Sequence, residues 1–138
     1  MSATKPTEKA KMPAENGFSA FNCDDLQFPV LLSVPHAGRI YPLDLTGNLR
    51  LDPAQLVRLE DRYADRLAAT AIKAGLPTLV AHYARAWIDL NRDSRDVDPA
   101  MVEGGFANSL GSAKMRGGLG LIPRRLMQYG DIWKRQLR

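Results

Sequence analysis

Large apolar side chains are scarce in the first seventeen residues, which are dominated by Lys, Glu, Pro and Ala. Such a stretch buries too little apolar surface to offset its ordering entropy. Residues 1–17 are therefore expected to form a disordered tail and 18–138 the folded portion. The run PVLLSVPH (29–36) is almost continuously apolar, which suits a short strand covered on both faces. Pro35 and Gly38 break it, so His36 falls at or just past the strand's carboxyl end.

Asp52-Pro53-Ala54-Gln55 reads as a helix start, with Asp as N-cap, Pro at the first helical position and Gln completing a capping box. Leu56, Leu59, Tyr63 and Leu67 keep three- and four-residue spacing, as do Ala64, Ala68, Ala71 and Ile72. Gly75 and Pro77 close the segment. Glu60-Asp61 can restart a helix, so the pattern allows one long helix or two. PTLVAHY (77–83) and AWIDL (86–90) read as strands joined by a tight turn near Ala84-Arg85. Six glycines between Gly104 and Gly120 predict a long loop, a kind of segment that often carries function. The last stretch, 121–138, is either a helix or two extended pieces turning at Gly130-Asp131. Ile122-Pro123 and Tyr129-Gly130-Asp131 favour the hairpin.

Strand, helix, strand in this order predicts a layered α/β fold with partly parallel pairing. Ligands in such folds collect at the carboxyl ends of the strands. His36 and the segment 89–92 both sit at predicted strand ends, so they are placed to line one crevice.

Composition narrows this picture. A chain of 138 residues fits one domain, and 45% hydrophobic with 25% charged residues is ordinary for a soluble globular protein. No apolar run approaches the roughly 18 residues of a membrane span, and no secretory signal opens the chain. A cytoplasmic location is the expectation. Cys23 is the single cysteine, which excludes an intrachain disulfide and a cysteine zinc cluster. With two histidines, a metal site here must use carboxylates or remain incomplete. The net charge is +4, much of the excess lying at Arg116, Arg124, Arg125, Lys134, Arg135 and Arg138. These are read as a solvated surface, because the aromatic-and-basic pattern of a single-strand binder is missing.

His36 has small neighbours that leave its imidazole accessible, and neutral imidazole is a good zinc ligand. On pattern alone a structural histidine fits equally well. Asp61, with Glu60 and Asp65, is the nearest carboxylate group, although Glu60, Asp61, Arg62, Asp65 and Arg66 also suit an exposed helix face laced with ion pairs. In WIDLNRDSR (87–95), Arg92 offers a planar fork for a carboxylate and Asn91 an orienting amide. A local turn in which Asp89 and Arg92 satisfy one another is the alternative. His82, inside a predicted strand, reads as a hydrogen-bonded structural residue.

SVPHAGRIYP (33–42), LEDRYADRL (59–67), ARAWIDLNRD (84–93) and GGLGLIPRR (117–125), taken in this order, resemble the N-formylglutamate amidohydrolase family. The resemblance implies a three-layer α/β/α fold of the zinc-carboxypeptidase (phosphorylase/hydrolase-like) type, here truncated to its N-terminal portion. It implies a zinc cofactor and hydrolysis of N-formyl-L-glutamate, or a related small anionic N-acyl amino acid, to formate and glutamate, late in histidine degradation. Neither nucleic acid nor membrane is an implied partner. His36 matches the family's first metal-binding histidine and Asp61 the position of an acidic second ligand. Asn91 and Arg92 match the substrate-carboxylate pair, and Arg124 accompanies the glycine-rich loop that approaches the substrate. Related carboxypeptidase-like sites often place the acid three residues after the histidine, where this chain has Arg39. A further histidine and the general base are expected from a segment beyond Arg138. The alternative is a catalytically inactive fragment or a binding module for small dicarboxylates.

Overall fold

The computed structural model describes residues 16–24 and 27–138, so nearly all of the expected disordered tail lies outside the described residues. Three strands form a mixed sheet: β1 (Phe18–Phe21), β2 (Leu32–Val34) and β3 (Thr78–Ala81), in the order β1-β3-β2. β2 runs parallel to β3, pairing Leu32 with Thr78 and Val34 with Val80. β1 runs antiparallel to β3, pairing Phe18 with Ala81 and Phe21 with Thr78. The apolar run from 29 contributes only its last part to the ladder, and Val30 and Leu31 are exposed. The reading of a strand covered on both faces thus holds at buried Val34 alone. Pro35 offers no N–H, and the ladder stops before it.

The helical segment is two pieces. Asp52 accepts from Ala54 N at 2.9 Å while Gln55 accepts from Asp52 N at 3.2 Å, the expected capping box, opening α2 (Pro53–Leu56) after the short α1 (Leu43–Gly47). A 3-10 turn, Val57–Leu59, follows, and then the chain goes extended at Glu60. Tyr63 takes a left-handed φ of 71° immediately before α3 (Ala64–Lys73). This break splits the apolar stripe: Leu56 and Leu59 are buried, whereas Leu67 is 82% exposed. In α3, Ala64, Ala68 and Ile72 meet Val34, Ala37 and Val80 of the sheet layer. The helix ends as predicted at Gly75 (φ 87°). Leu76 N donates to Ala71 O and Gly75 N to Ile72 O, the paired bonds of a Schellman cap.

Segment 86–90 is not the second strand of a hairpin. It coils, with Trp87 N donating to Ala84 O and Asp89 N to Leu121 O at 2.7 Å. Ala84, Ala86 and Asp89 are buried, a spacing that strand alternation cannot produce. The glycine-rich stretch is largely irregular, interrupted by α4 (Ala113–Arg116). The chain ends in the expected hairpin, β4 (Arg125–Leu126) against β5 (Gly130–Asp131). Its turn is the 3-10 segment Met127–Tyr129, just before the predicted position.

The larger core lies beside the sheet, where Leu45, Leu49, Leu56, Leu59, Ala86, Met101, Leu126, Ile132 and Trp133 pack together. Leu45, Leu56 and Ile132 are fully buried, each contributing about 1.5–3 kcal/mol of transfer free energy. Trp133 donates its indole N–H to Pro123 O at 2.7 Å, so the ring is buried without an orphan donor.

Gly38 locks the turn after β2. A Cβ there would lie 2.0 Å from Tyr83 O, and the next two residues, Arg39 and Ile40, both donate their N–H to His82 O at 2.9 Å. Gly38→Ala must push the 82–83 backbone away, at an expected cost of about 2–3 kcal/mol. Urea unfolding measures it; a variant within about 0.5 kcal/mol of the parent would show that this close approach is not required.

Candidate functional site

His36 follows β2 by two residues and is 8% exposed. Its Nε2 lies 2.7 Å from Asp89 Oδ1 and its Nδ1 lies 3.1 Å from Asp61 Oδ2. The two carboxylates are unlike: the Asp89 side chain is wholly buried, that of Asp61 is 61% exposed. Asp61 is delivered by the turn between α2 and α3, where Asp61 N donates to His36 O at 3.0 Å. It therefore faces His36 rather than sharing a helix face with Asp65, which pairs with Arg39 at 3.1 Å.

Asp89 accepts hydrogen bonds from three sides and has a further guanidinium nearby. Besides His36, Asn91 N donates to Oδ1 at 3.0 Å, Arg85 Nε donates to Oδ2 at 2.8 Å, and Arg92 Nε is 3.7 Å from Oδ2. Burial pushes this carboxyl up, but hydrogen bonds from His36 and Asn91 N and the charge of Arg85 outweigh it, holding it down at about 2. Asp89 is thus ionised and can only accept, so Nε2 of His36 carries the proton. In the neutral imidazole the lone pair is then on Nδ1, turned toward Asp61 Oδ2. Two lone-pair donors 3.1 Å apart call for a shared proton or a bound cation.

The neighbouring turn is also held from below. The Glu60 side chain is 1% exposed, accepts from the Tyr41 hydroxyl, and pairs with Arg62 Nε at 2.8 Å. Glu60 is therefore no part of an exposed charged helix face. Burial, then the bond to Glu60, pushes the Tyr41 hydroxyl well above its ordinary range. The Tyr63 ring lies under the Arg66 and Arg39 guanidiniums at 4.8 and 5.6 Å.

Asn91 is exposed and Arg92 half-buried at the rim of this group. Arg92 Nε donates to Leu119 O at 3.1 Å, so the glycine-rich loop does reach the site. Arg124 goes elsewhere: its Nε pairs with Asp98 at 2.6 Å and its Nη1 with Asp131 at 3.4 Å. It lines a different cavity, beside Met101 and Trp133. His36, Asp61, Asn91 and Arg92 are brought together; Arg124 is not in contact with them. His82 is held by Ser19 Oγ at 2.7 Å and Asn16 O at 3.1 Å, the structural histidine expected. Cys23 is a free thiol whose Sγ lies 3.3 Å from Phe21 O. Of the basic C-terminal residues, Arg124, Arg125 and Arg138 face carboxylates of this chain.

Sequence reasoning missed Asp89 as the partner of His36 and Arg85 as the second group holding it, and it placed Glu60 on an exposed helix face. The signal for Asp89 was present: an aspartate between Ile88 and Leu90, with arginines four before and three after it.

The parallel strand pair and the polar group beyond it define a class: a mixed α/β protein with a histidine–carboxylate site at the carboxyl ends of its strands. The chain belongs to the N-formylglutamate amidohydrolase family, whose model matches residues 28–138. The N-formylglutamate deformylase of Pseudomonas aeruginosa (strain PAO1) is 39% identical over 69 residues, 49% of this chain and 25% of that one. The crystal structure of N-formylglutamate amidohydrolase from Ralstonia eutropha JMP134 superposes with a TM-score of 0.77 at 31% identity, covering 88% of this chain and 43% of the other. The chain thus matches less than half the length of either relative. Among the described residues no helix is long and apolar enough to cross a membrane.

Acid stability follows from Asp89. Its folded value near 2 lies below the unfolded value of about 3.9, so its contribution is full above about pH 4 and is lost as pH falls through 2. Asp93, held near 2 by Arg95, titrates in the same window and is unaffected by changes at Asp89. Asp89→Asn is expected to flatten the fall in unfolding free energy between about pH 4 and 2, measured by urea unfolding at stepped pH. Equal slopes in the two proteins would contradict the account of Asp89 as a buried, donor-held carboxylate.

Proposed function

We propose that the chain supplies the first part of a zinc-dependent amidohydrolase site that hydrolyses N-formyl-L-glutamate, or a related N-acyl amino acid, to formate and the free amino acid. On this reading the mixed α/β unit is part of a three-layer α/β/α fold of zinc-carboxypeptidase type, and the protein acts in the cytoplasm late in histidine degradation. The observation that carries it is the meeting of His36 Nδ1 with Asp61 Oδ2, 3.1 Å apart, while Asp89 holds the far nitrogen of the ring. Imidazole nitrogen and carboxylate oxygen are ordinary zinc donors. A carboxylate on the opposite ring nitrogen fixes a ligand's tautomer and orientation.

His36 and Asp61 fit zinc as two of its ligands. No set of three or more His, Cys, Asp or Glu side chains is placed to hold an ion among the described residues, so the remaining ligand belongs outside them. When bound, zinc supplies polarisation of the scissile carbonyl and a more acidic water. The chain's own residues then bind and orient. Asp89 keeps the His36 ring in one tautomer. Arg92, steadied by Leu119 O, and Asn91 offer a guanidinium and an amide to the substrate's carboxylate, fixing the amide carbon beside the ligand pair. The group that takes the water's proton is likewise assigned outside the described residues.

The guanidinium and amide of Arg92 and Asn91 at the rim also suit a second reading, a binding module for small dicarboxylates without turnover. Formate release from N-formyl-L-glutamate with added zinc, assayed on the 138-residue chain, separates the two.

Calorimetric titration with zinc tests the ligand pair of the first reading. His36→Ala and Asp61→Asn should each weaken binding at least ten-fold, roughly the loss a disturbed ligand set produces, while His82→Ala leaves it unchanged. Equal affinity in the parent and His36→Ala would overturn the assignment. Arg92→Ala is expected to weaken N-formyl-L-glutamate binding about ten-fold. An unchanged affinity would remove the anchor.

A further inference from the structure

Beside the site, a cavity of about 440 Å³ is walled by Arg58, Arg85, Arg125, Gly117, Leu119 and Tyr129 among others, and no carboxylate side chain among the described residues lines it. It touches the group around His36 at two points. Arg85 is the residue whose Nε holds Asp89 at 2.8 Å, and Leu119 is the residue whose carbonyl accepts from Arg92 at 3.1 Å.

Three guanidiniums on one small concavity repel one another unless an anion joins them. Two are compensated from behind, Arg85 by Asp89 and Arg125 by Asp131 at 3.3 Å. Arg58 has no carboxylate partner among the described residues. Its guanidinium lies 5.2 Å from the Tyr129 ring centroid, a stacking that steadies the plane and leaves the N–H fork free. The glycine-rich turn completes the wall. Arg124 N and Arg125 N both donate to Gly118 O, at 2.8 and 3.1 Å, and a Cβ on Gly118 (φ 87°) would strike Arg125 Cβ at 2.5 Å. Only glycine lets the loop press this close and set Arg125 on the cavity.

We propose that this arginine-walled cavity is a carboxylate subsite, taking the side-chain carboxylate of an acidic N-acyl amino acid whose other carboxylate lies at Asn91 and Arg92. The inference rests on the proposed function for the role of Arg92, and makes this cavity the source of preference for dicarboxylates over singly charged analogues. Its volume, at the small end of ligand pockets, suits a short side chain. A guanidinium fork in a partly shielded concavity binds a planar carboxylate in two-point fashion, which a neutral amide of the same shape cannot match.

The test is a titration of the 138-residue chain without zinc, followed by the amide ¹H–¹⁵N signals of Gly117, Leu119 and Tyr129. The probes are glutarate, its half-amide glutaramate, and inorganic phosphate. Glutarate should saturate these shifts at least about ten-fold more tightly than glutaramate, the worth of one charge-assisted hydrogen bond. Arg58→Gln should abolish most of that preference, and Arg58→Lys should keep part of it. Arg58 is exposed, so an unchanged spectrum away from the cavity confirms that each variant folds. Zinc affinity is read in a separate titration, so the zinc assignment and the subsite fail separately. The subsite is overturned by any of three results: no saturable shift at these amides, glutaramate binding as tightly as glutarate, or phosphate binding more tightly than either. Retention of the full preference in Arg58→Gln would also overturn it.

Discussion

A carboxylate with no exposed surface must be surrounded by donors, and Asp89 takes them from His36, Asn91 N and Arg85, with the charge of Arg92 3.7 Å away. An uncompensated charge in this position would cost several kcal/mol, so these stretches of chain are held together by the same requirement. The demand explains the local backbone. A regular strand over 86–90 would carry Asp89 away from its donors, whereas the coiled path turns it inward and lets its own N–H meet Leu121 O. It also sets the chemistry, because an acceptor on Nε2 leaves the lone pair of a neutral His36 on Nδ1.

The second requirement is that Asp61 be brought to that lone pair. Gly38 permits the chain after His36 to pass against the 82–83 backbone, and the break between α2 and α3 swings Asp61 back to the His36 carbonyl. Glu60 anchors the break through Tyr41 and Arg62, and Tyr63 accepts a left-handed conformation to finish it. Asp61 stays exposed and Asp89 buried. One carboxylate is free to bind and the other is confined to holding the ring.

These two requirements also join the polar site to the apolar framework. His36 stands next to Ala37, which packs with Val34 and Ala68 between sheet and α3, and Asp89 follows Ala86 of the larger core. The glycine-rich loop closes the arrangement from the far side through Leu119 and Arg92. The site is therefore assembled from four separated stretches, each tied to packing or backbone hydrogen bonds.

Local features were legible in the residues. The Asp52 capping box and the Gly75 cap depend on neighbours within a few positions and form as the pattern states; the strand that delivers His36 stops before Pro35, and the hairpin forms with its turn at Met127–Tyr129 rather than at Gly130-Asp131. His36, Asp61, Asn91 and Arg92 converge because their segments end strands or turns that are themselves local. The rest was decided by partners distant in the chain. AWIDL has the look of a strand, yet Asp89 needs donors from residues 36 and 85; LEDRY has the look of a helix, yet Glu60 is drawn in by Tyr41. Arg124 and Arg125 are adjacent and share Asp131, yet one reaches Asp98 and the other lines the cavity. The sequence by itself determined the caps, the strand that delivers His36 and the residue types of the site. Tertiary structure alone decided which charges are buried and with whom, because a buried charge is stabilised by whichever donors the fold brings to it.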